Sequence, residues 1–220
     1  MTVDQPRQSE GRYIPALRYR WLTPLYDPVL RWLFREDAMK AHLVAQAALR
    51  PYHRVLDLGC GTGTLTVLLK EAQPEATLIG LDGDHEVLEI ARRKSAVAGV
   101  EITWDHGMAY ELPYPDGSFD VVLSSLMLHH ITREQRIRTL SEVYRVLRPG
   151  GWLHVADFGK PQSTLMRALS KVSELLEETE DGVEGRLPGM FRAAGLEGVE
   201  ETRRFRTPLG TLSLYRARKP

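Results

Sequence analysis

The chain has 220 residues, with 29 Lys plus Arg balanced by 29 Asp plus Glu, and 43% of its residues are hydrophobic. This length favours one domain whose core needs no cross-links. The zero formal net charge argues against a nucleic-acid partner, and the single cysteine, Cys60, excludes a disulfide framework or a cysteine-rich zinc site.

The N-terminal region precedes the predicted core. Residues 1–12 are polar and we expect them to be disordered, without the apolar segment of a secretory signal. Residues 13–35 are aromatic and basic and are broken by prolines, so we expect short helical pieces there, followed by a helix over 36–49. No stretch approaches the roughly 20 apolar residues that span a bilayer. We therefore expect a cytoplasmic protein.

From residue 53 onward, short apolar runs alternate with longer segments of helical periodicity. The predicted strands cover residues 54–58, 77–81, 100–104, 119–124, 152–156, 198–206 and 211–217. The predicted helices cover 64–72, 84–98, a segment from 132 to the Pro149-Gly150-Gly151 stop, a segment around 165–176, and 185–194. This alternation predicts parallel βαβ units with helices on both faces of a sheet, and the last two strands predict a hairpin.

A glycine-rich loop, Asp57-Leu58-Gly59-Cys60-Gly61-Thr62-Gly63, joins the first strand to the next helix. Glycines allow positive φ and leave room beside bare backbone, and the helix start adds unpaired N–H groups. The loop could bind an anion or be a tight turn that binds nothing. The dinucleotide fingerprint G-x-G-x-x-G fails because residue 64 is Thr. Asp57 would repel a pyrophosphate but suits an ammonium group, so an amino acid linked to a nucleotide fits better.

A second acid, Asp82, ends the second predicted strand 19 residues after Gly63. That distance is close to the interval of about 20 residues at which an acidic side chain reaches ribose hydroxyls. The alternative is a solvated aspartate at a strand end. Together with the loop, Asp82 favours a nucleoside ligand.

Several motifs resemble those of the class I S-adenosylmethionine-dependent methyltransferases, and most of all the ubiquinone/menaquinone-biosynthesis C-methyltransferases and their relatives. They lie in residues 55–63, 79–82, 107–114, 119–130 and 145–151. The resemblance implies an α/β, Rossmann-like, doubly wound sheet of seven strands in the order 3-2-1-4-5-7-6, with the last strand antiparallel. It implies one methyltransferase domain over 1–220, with a helical lid at 13–50, a cofactor-binding core at 51–160, and a helical insert and β-hairpin at 161–220.

The resemblance also implies S-adenosylmethionine as the cofactor and a set of residues that contact it. These are Asp57, Gly59, Cys60, Gly61 and Gly63 around the methionine end, Asp82 and Gly83 at the ribose, Met108 and Ala109 near the adenine, and Ser124 and Tyr26. Met108 departs from the family, which usually has an aspartate there to accept a hydrogen bond from adenine. The Met108 thioether could pack on the ring instead, or Asp105 could take the missing role.

Methyl transfer from a sulfonium is an in-line displacement, so alignment of the reactants matters most and a general base is optional. His129 and His130 follow the fourth strand and are the candidate bases, because imidazole titrates near neutral pH. A structural role is the alternative, and we favour it for His129. No residue pattern predicts a metal site.

The sequence therefore predicts an enzyme that methylates a small or lipid-like acceptor at carbon, oxygen or nitrogen. A non-catalytic scaffold that binds the cofactor and a nucleotide-dependent oxidoreductase are the alternatives. The Asn/Asp-Pro-Pro-Tyr/Phe signature of many nucleic-acid base methyltransferases is absent. Residues 13–35 have two further interpretations, a core helix or a basic surface in weak contact with a membrane.

Overall fold

The computed structural model describes residues 36–161, 180–208 and 210–220. The helices are α1 (Glu36–Ala47), α2 (Thr64–Ala72), α3 (His85–Ala98), α4 (Arg133–Val146), α5 (Glu180–Val183) and α6 (Leu187–Ala193), with a 3-10 turn at Leu128–His130. The strands are β1 (Arg54–Leu58), β2 (Thr77–Asp82), β3 (Thr103–His106), β4 (Phe119–Ser125), β5 (Leu147–Phe158), β6 (Glu197–Thr207) and β7 (Gly210–Arg218). The predictions for 1–35, including Tyr26, and for the helix around 165–176 lie outside the described residues.

The seven strands form one sheet in the order β3-β2-β1-β4-β5-β7-β6, which confirms the predicted topology. Strands β1 to β5 pair in parallel, and β7 is antiparallel to both β5 and β6. In a parallel sheet the carboxyl ends of the strands meet at one edge. The loops that follow β1, β2 and β4 therefore converge there.

Helices cover both faces of this sheet. Side chains alternate along β4, so that Val122 joins one core cluster while Val121 and Leu123 join the other. The first cluster includes residues of α4 and α6, and the second includes residues of α1 and α2. Within the described ranges, no helix is long and apolar enough to cross a membrane.

Local signals fix several helix ends as predicted. Asp84 caps α3 by accepting a hydrogen bond from the Glu86 N–H, and Gly99 ends it in the left-handed region. Thr132 and Gln135 form both halves of the predicted capping box at the start of α4. Each cap satisfies backbone groups that the helix itself leaves unpaired.

Two predicted boundaries are wrong. The third strand was expected at 100–104 but spans Thr103–His106, because the Val100 N–H bonds to the Ser95 carbonyl and closes α3. Helix α4 ends at Val146 rather than at Pro149-Gly150-Gly151, which lies inside β5. There Gly150 and Gly151 exchange hydrogen bonds with Lys219, so the chain pairs with the C-terminal residues instead of turning.

Candidate cofactor site

A cavity of about 260 Å³ opens at the carboxyl edge of the parallel strands. Four loops line it, namely residues 59–62 after β1, 82–83 after β2, 107–110 after β3 and 125–127 after β4, together with the side chains of Asp57, His130 and Ile131. Asp82 lies on the β2 side of β1, and His130 lies on the β4 side. The topology thus brings the two predicted acids and one predicted base candidate to one cavity.

The three glycines of the loop have different roles, although all have positive φ. A Cβ built at Gly61 would have no atom within 4 Å, so this residue leaves open space beside the cavity. A Cβ at Gly59 would lie 2.2 Å from Met127 Cγ, and one at Gly63 would lie 2.4 Å from Trp104 Cη2. Gly59 and Gly63 are therefore required for packing, and Gly63 does not line the cavity.

Asp57 is a buried carboxylate that borders the cavity. Its Oδ2 accepts a hydrogen bond of 2.6 Å from Thr66 Oγ1. Burial raises the pKa of Asp57 to about 6, even though the hydrogen bond from Thr66 and the charge of Lys40 lower it. A cationic group in the cavity would relieve the cost of keeping this carboxylate ionised, as an ammonium group would do.

Asp82 holds the glycine loop against the end of β2. One carboxylate oxygen accepts from the Gly61 N–H at 2.8 Å and the other from the Asp84 N–H at 3.0 Å. Burial raises the pKa of Asp82, against these backbone hydrogen bonds. A carboxylate accepts up to about four hydrogen bonds, so Asp82 could still accept one from a ribose hydroxyl. The predicted ribose role therefore fits the geometry.

The wall of the cavity formed by the loop after β3 includes Met108 and Ala109, and Gly83 from the loop after β2 lies beside it. Asp105, the alternative partner for adenine, does not line the cavity, and it accepts a hydrogen bond of 2.8 Å from the Tyr114 hydroxyl. This wall is therefore largely apolar beside Met108. It suits a flat ring that is held by packing.

Of two further residues predicted to contact the cofactor, one lines the cavity and the other does not. Cys60 lines the cavity, and burial raises the pKa of its thiol, which is therefore protonated at neutral pH. Ser124 is buried in β4 and does not line the cavity, whereas the next residue, Ser125, does. Because side chains alternate along a strand, neighbouring residues face opposite sides.

The two histidines are neighbours with different surroundings. His129 is buried, and its Nδ1 lies 2.8 Å from Asp157 Oδ1. Burial opposes ionisation of Asp157, but His129 and the Phe158 N–H outweigh it and lower the pKa of this carboxyl. The other oxygen of Asp157 accepts from the Leu128 N–H at 2.9 Å. The pair therefore anchors the turn that carries His130.

His130 borders the cavity, and its ring centroid lies 4.1 Å from that of His129. Desolvation and the neighbouring His129 lower the pKa of His130. The imidazole is therefore neutral at pH 7 and can accept a hydrogen bond. Of the two candidate bases, only His130 borders the cavity.

Glu36 and Lys40 of α1 also line the cavity and form an ion pair, and no sequence pattern predicted them there. They belong to the helix that precedes β1 in the chain, and only the packing of α1 on the sheet brings them to the glycine loop. Asp157 was also missed as the partner of His129. Among the described residues, no group of three or more His, Cys, Asp or Glu could hold a metal ion.

Comparison with known proteins places the chain in a family. Residues 55–151 match the model described as a methyltransferase domain. The chain is 38% identical over 142 residues to the demethylmenaquinone methyltransferase of Thermus thermophilus, covering 64% of each protein. It is 31% identical over 168 residues to the protein of the same name from Deinococcus radiodurans, covering 76% of this chain and 68% of that relative.

A solved structure from Thermotoga maritima, an S-adenosylmethionine-dependent methyltransferase described as a possible histamine N-methyltransferase, is also similar. It shares 25% identity and a TM-score of 0.65, over 90% of this chain and 98% of that one. The chain therefore belongs to the class I S-adenosylmethionine-dependent methyltransferases and resembles their ubiquinone/menaquinone C-methyltransferase group. S-adenosylmethionine is the cofactor of this family. The matches span about two thirds of the length of the two curated relatives.

Proposed function

We propose that this protein transfers a methyl group from S-adenosylmethionine to a ring carbon of a small or lipid-like acceptor of the reduced-quinone type. The observation that carries the proposal is one cavity in which the buried Asp57, the half-buried Asp82 and the neutral imidazole of His130 lie around the glycine loop. The relatives named demethylmenaquinone methyltransferases support the class of acceptor. The apolar residues of the cavity suit such a ring.

Different residues of the cavity would contact different parts of the cofactor. Asp57 would face the ammonium group, because it is a buried carboxylate and no residue of the glycine loop forms a salt bridge with it. Asp82 would accept the ribose hydroxyls, and Met108 with Ala109 would pack on the adenine. When bound, S-adenosylmethionine supplies an electrophilic methyl group on a sulfonium.

The chemistry required of the protein is mainly alignment, which can lower a barrier by about 7–11 kcal/mol. The bound cofactor would supply the methyl group and be left as a neutral thioether, while the ring carbon would gain the methyl group and release its proton to water. His130 is suited to accept a hydrogen bond from the ring hydroxyl beside that carbon. Its lowered pKa makes it an orienting acceptor rather than a group that stores a proton at neutral pH.

The test is transfer of a labelled methyl group by the purified chain to a short-chain demethylmenaquinol, followed by mass spectrometry. Histamine serves as the competing acceptor. A product with the label on a ring carbon supports the proposal. Cofactor binding without transfer to either acceptor would support the scaffold alternative, and transfer to histamine alone would overturn the quinone assignment.

Two variants test cofactor binding and catalysis separately. Asp82→Ala should weaken binding of S-adenosylhomocysteine more than tenfold, since two backbone N–H groups and the ribose lose their acceptor. His130→Ala should leave this affinity intact and lower kcat. His42→Ala is the matched control, because His42 does not line the cavity. A His130→Ala enzyme with full kcat would remove the orienting role.

A further inference from the structure

A second cavity, of about 450 Å³, lies at the opposite end of the sheet, where β4 begins and β7 ends. Its lining includes Arg50, Arg148, Arg216 and Arg218. Asp120 of β4 lines this arginine cleft, whereas Ser125, five residues further along the strand, lines the cofactor cavity. Five residues of strand span roughly 17 Å. The arginine cleft is therefore separate from the methyltransferase site.

The charge in the arginine cleft is strongly positive. Four guanidinium groups face one lining carboxylate, Asp120, which pairs with Arg148. Arg216 pairs with the exposed Glu200 at 2.7 Å. Within the described part of the chain, Arg50 and Arg218 have no carboxylate partner, and Arg218 Nε donates only to the Gly150 carbonyl at 3.3 Å. Such an excess of like charge is a cost unless an anion offsets it.

An aromatic ring fixes two of these arginines. The guanidinium carbons of Arg216 and Arg218 lie 5.7 and 5.9 Å from the centroid of the Trp152 ring. Trp152 pairs across the β5–β7 ladder with Arg218, and His154 pairs with Arg216. Stacking restricts the side chains while leaving their N–H donors available.

The floor of the arginine cleft is polar and uncharged. Gln46 Nε2 lies 3.0 Å from His154 Nδ1 and also donates to the Tyr215 carbonyl. Burial lowers the pKa of His154 to about 4 and also lowers that of His53. Both imidazoles are therefore neutral at pH 7, and the positive charge of the arginine cleft comes from its arginines.

We infer that the arginine cleft is a binding site for a phosphate-bearing anion. Guanidinium groups present paired N–H donors that match phosphate oxygens. The volume lies within the range of about 300–1,000 Å³ that holds small organic ligands, so the arginine cleft has room for an organic molecule that carries the phosphate group. The anion offsets the charge of Arg50 and Arg218, which nothing in the described chain neutralises.

The test is isothermal titration of the full chain with pyrophosphate at low ionic strength. Saturable binding is expected, and the Arg50→Gln/Arg218→Gln variant should weaken it at least tenfold. The matched control is Arg93→Gln/Arg192→Gln, which removes two exposed arginines outside the arginine cleft and should change the affinity less than twofold. Unchanged affinity for S-adenosylhomocysteine in both variants shows that each is folded.

A second arm separates a soluble source of the phosphate from a lipid headgroup. Vesicles of phosphatidate in phosphatidylcholine are compared with pure phosphatidylcholine vesicles. Capture by phosphatidate that pyrophosphate displaces assigns the phosphate to a lipid, and pyrophosphate binding without vesicle capture assigns it to a soluble molecule; either supports the site. Absence of saturable pyrophosphate binding, or equal loss in the two double variants, overturns the inference.

Discussion

Replacing Asp57 by Asn should stabilise the protein without cofactor, although it damages the cofactor site. Burial raises the pKa of Asp57 to about 6 from its ordinary value of 3.8. The folded state thus holds its proton more tightly than the unfolded state does, so the stability it contributes is present below pH 3.8 and is lost as pH rises through 6. The shift of about two pKa units corresponds to about 3 kcal/mol above pH 7, and about half of this at pH 5.

The measurement is urea unfolding of the wild type and Asp57→Asn at pH 5 and pH 7.5 without cofactor. The variant should gain stability over the wild type at pH 7.5, and this gain should exceed the gain at pH 5 by about 1–2 kcal/mol. Packing changes caused by Asn cancel in that comparison. Asp116→Asn, at an exposed aspartate, is the control for the substitution itself. An equal gain at both pH values would refute the argument that Asp57 is an ionised acid held in place at a cost.

Three further predictions follow from the same region and from helix capping. Affinity for S-adenosylhomocysteine should fall about tenfold between pH 7 and pH 5, measured by calorimetry, because Asp57 becomes protonated; Asp57→Asn should remove this dependence, and a slope that persists in the variant would contradict the role. Gly63→Ala should destabilise the fold by about 2 kcal/mol or more in urea unfolding, through positive φ and a clash with Trp104. Gly61→Ala, which meets no atom, should cost about 1 kcal/mol but weaken cofactor binding, and equal losses of stability would argue against distinct roles. Thr132→Ala should cost about 1 kcal/mol through loss of the capping box, and Thr132→Ser should restore most of it.

Most of the fold followed from local signals in the sequence. The first strand, the helix after the glycine loop and the capped starts of two helices fell where their periodicity and caps predicted. The third strand did not, because its position is set by pairing with β2, where Ile79 lies opposite Thr103. Pro149-Gly150-Gly151 also led to a wrong boundary. These residues cannot continue a helix, but here they lie in a strand instead of forming the predicted helix stop. Edge positions are decided by partners that a local pattern does not contain.

In the candidate site, too, some residues were predictable from the local sequence and others were not. Asp57 and Asp82 were predictable because each lies at a strand end beside its loop, a short distance away in sequence. Whether His129 or His130 faces the cavity depended on Asp157, which is 28 residues further along the chain and holds one ring by a buried hydrogen bond. Lys40 reaches the cavity only through the packing of α1.

The sequence by itself predicted most strands, most helices and the glycine loop, because backbone propensities, capping and the spacing of glycines act over a few residues. Its resemblance to the class I methyltransferases implied the class of the protein and the strand order. The tertiary structure alone decided which side chains share a cavity and which titrate abnormally. Burial and cross-sheet pairing depend on residues distant in sequence. The meeting of Arg218 with Trp152 across two strands shows this, since neither residue on its own predicts the arginine cleft.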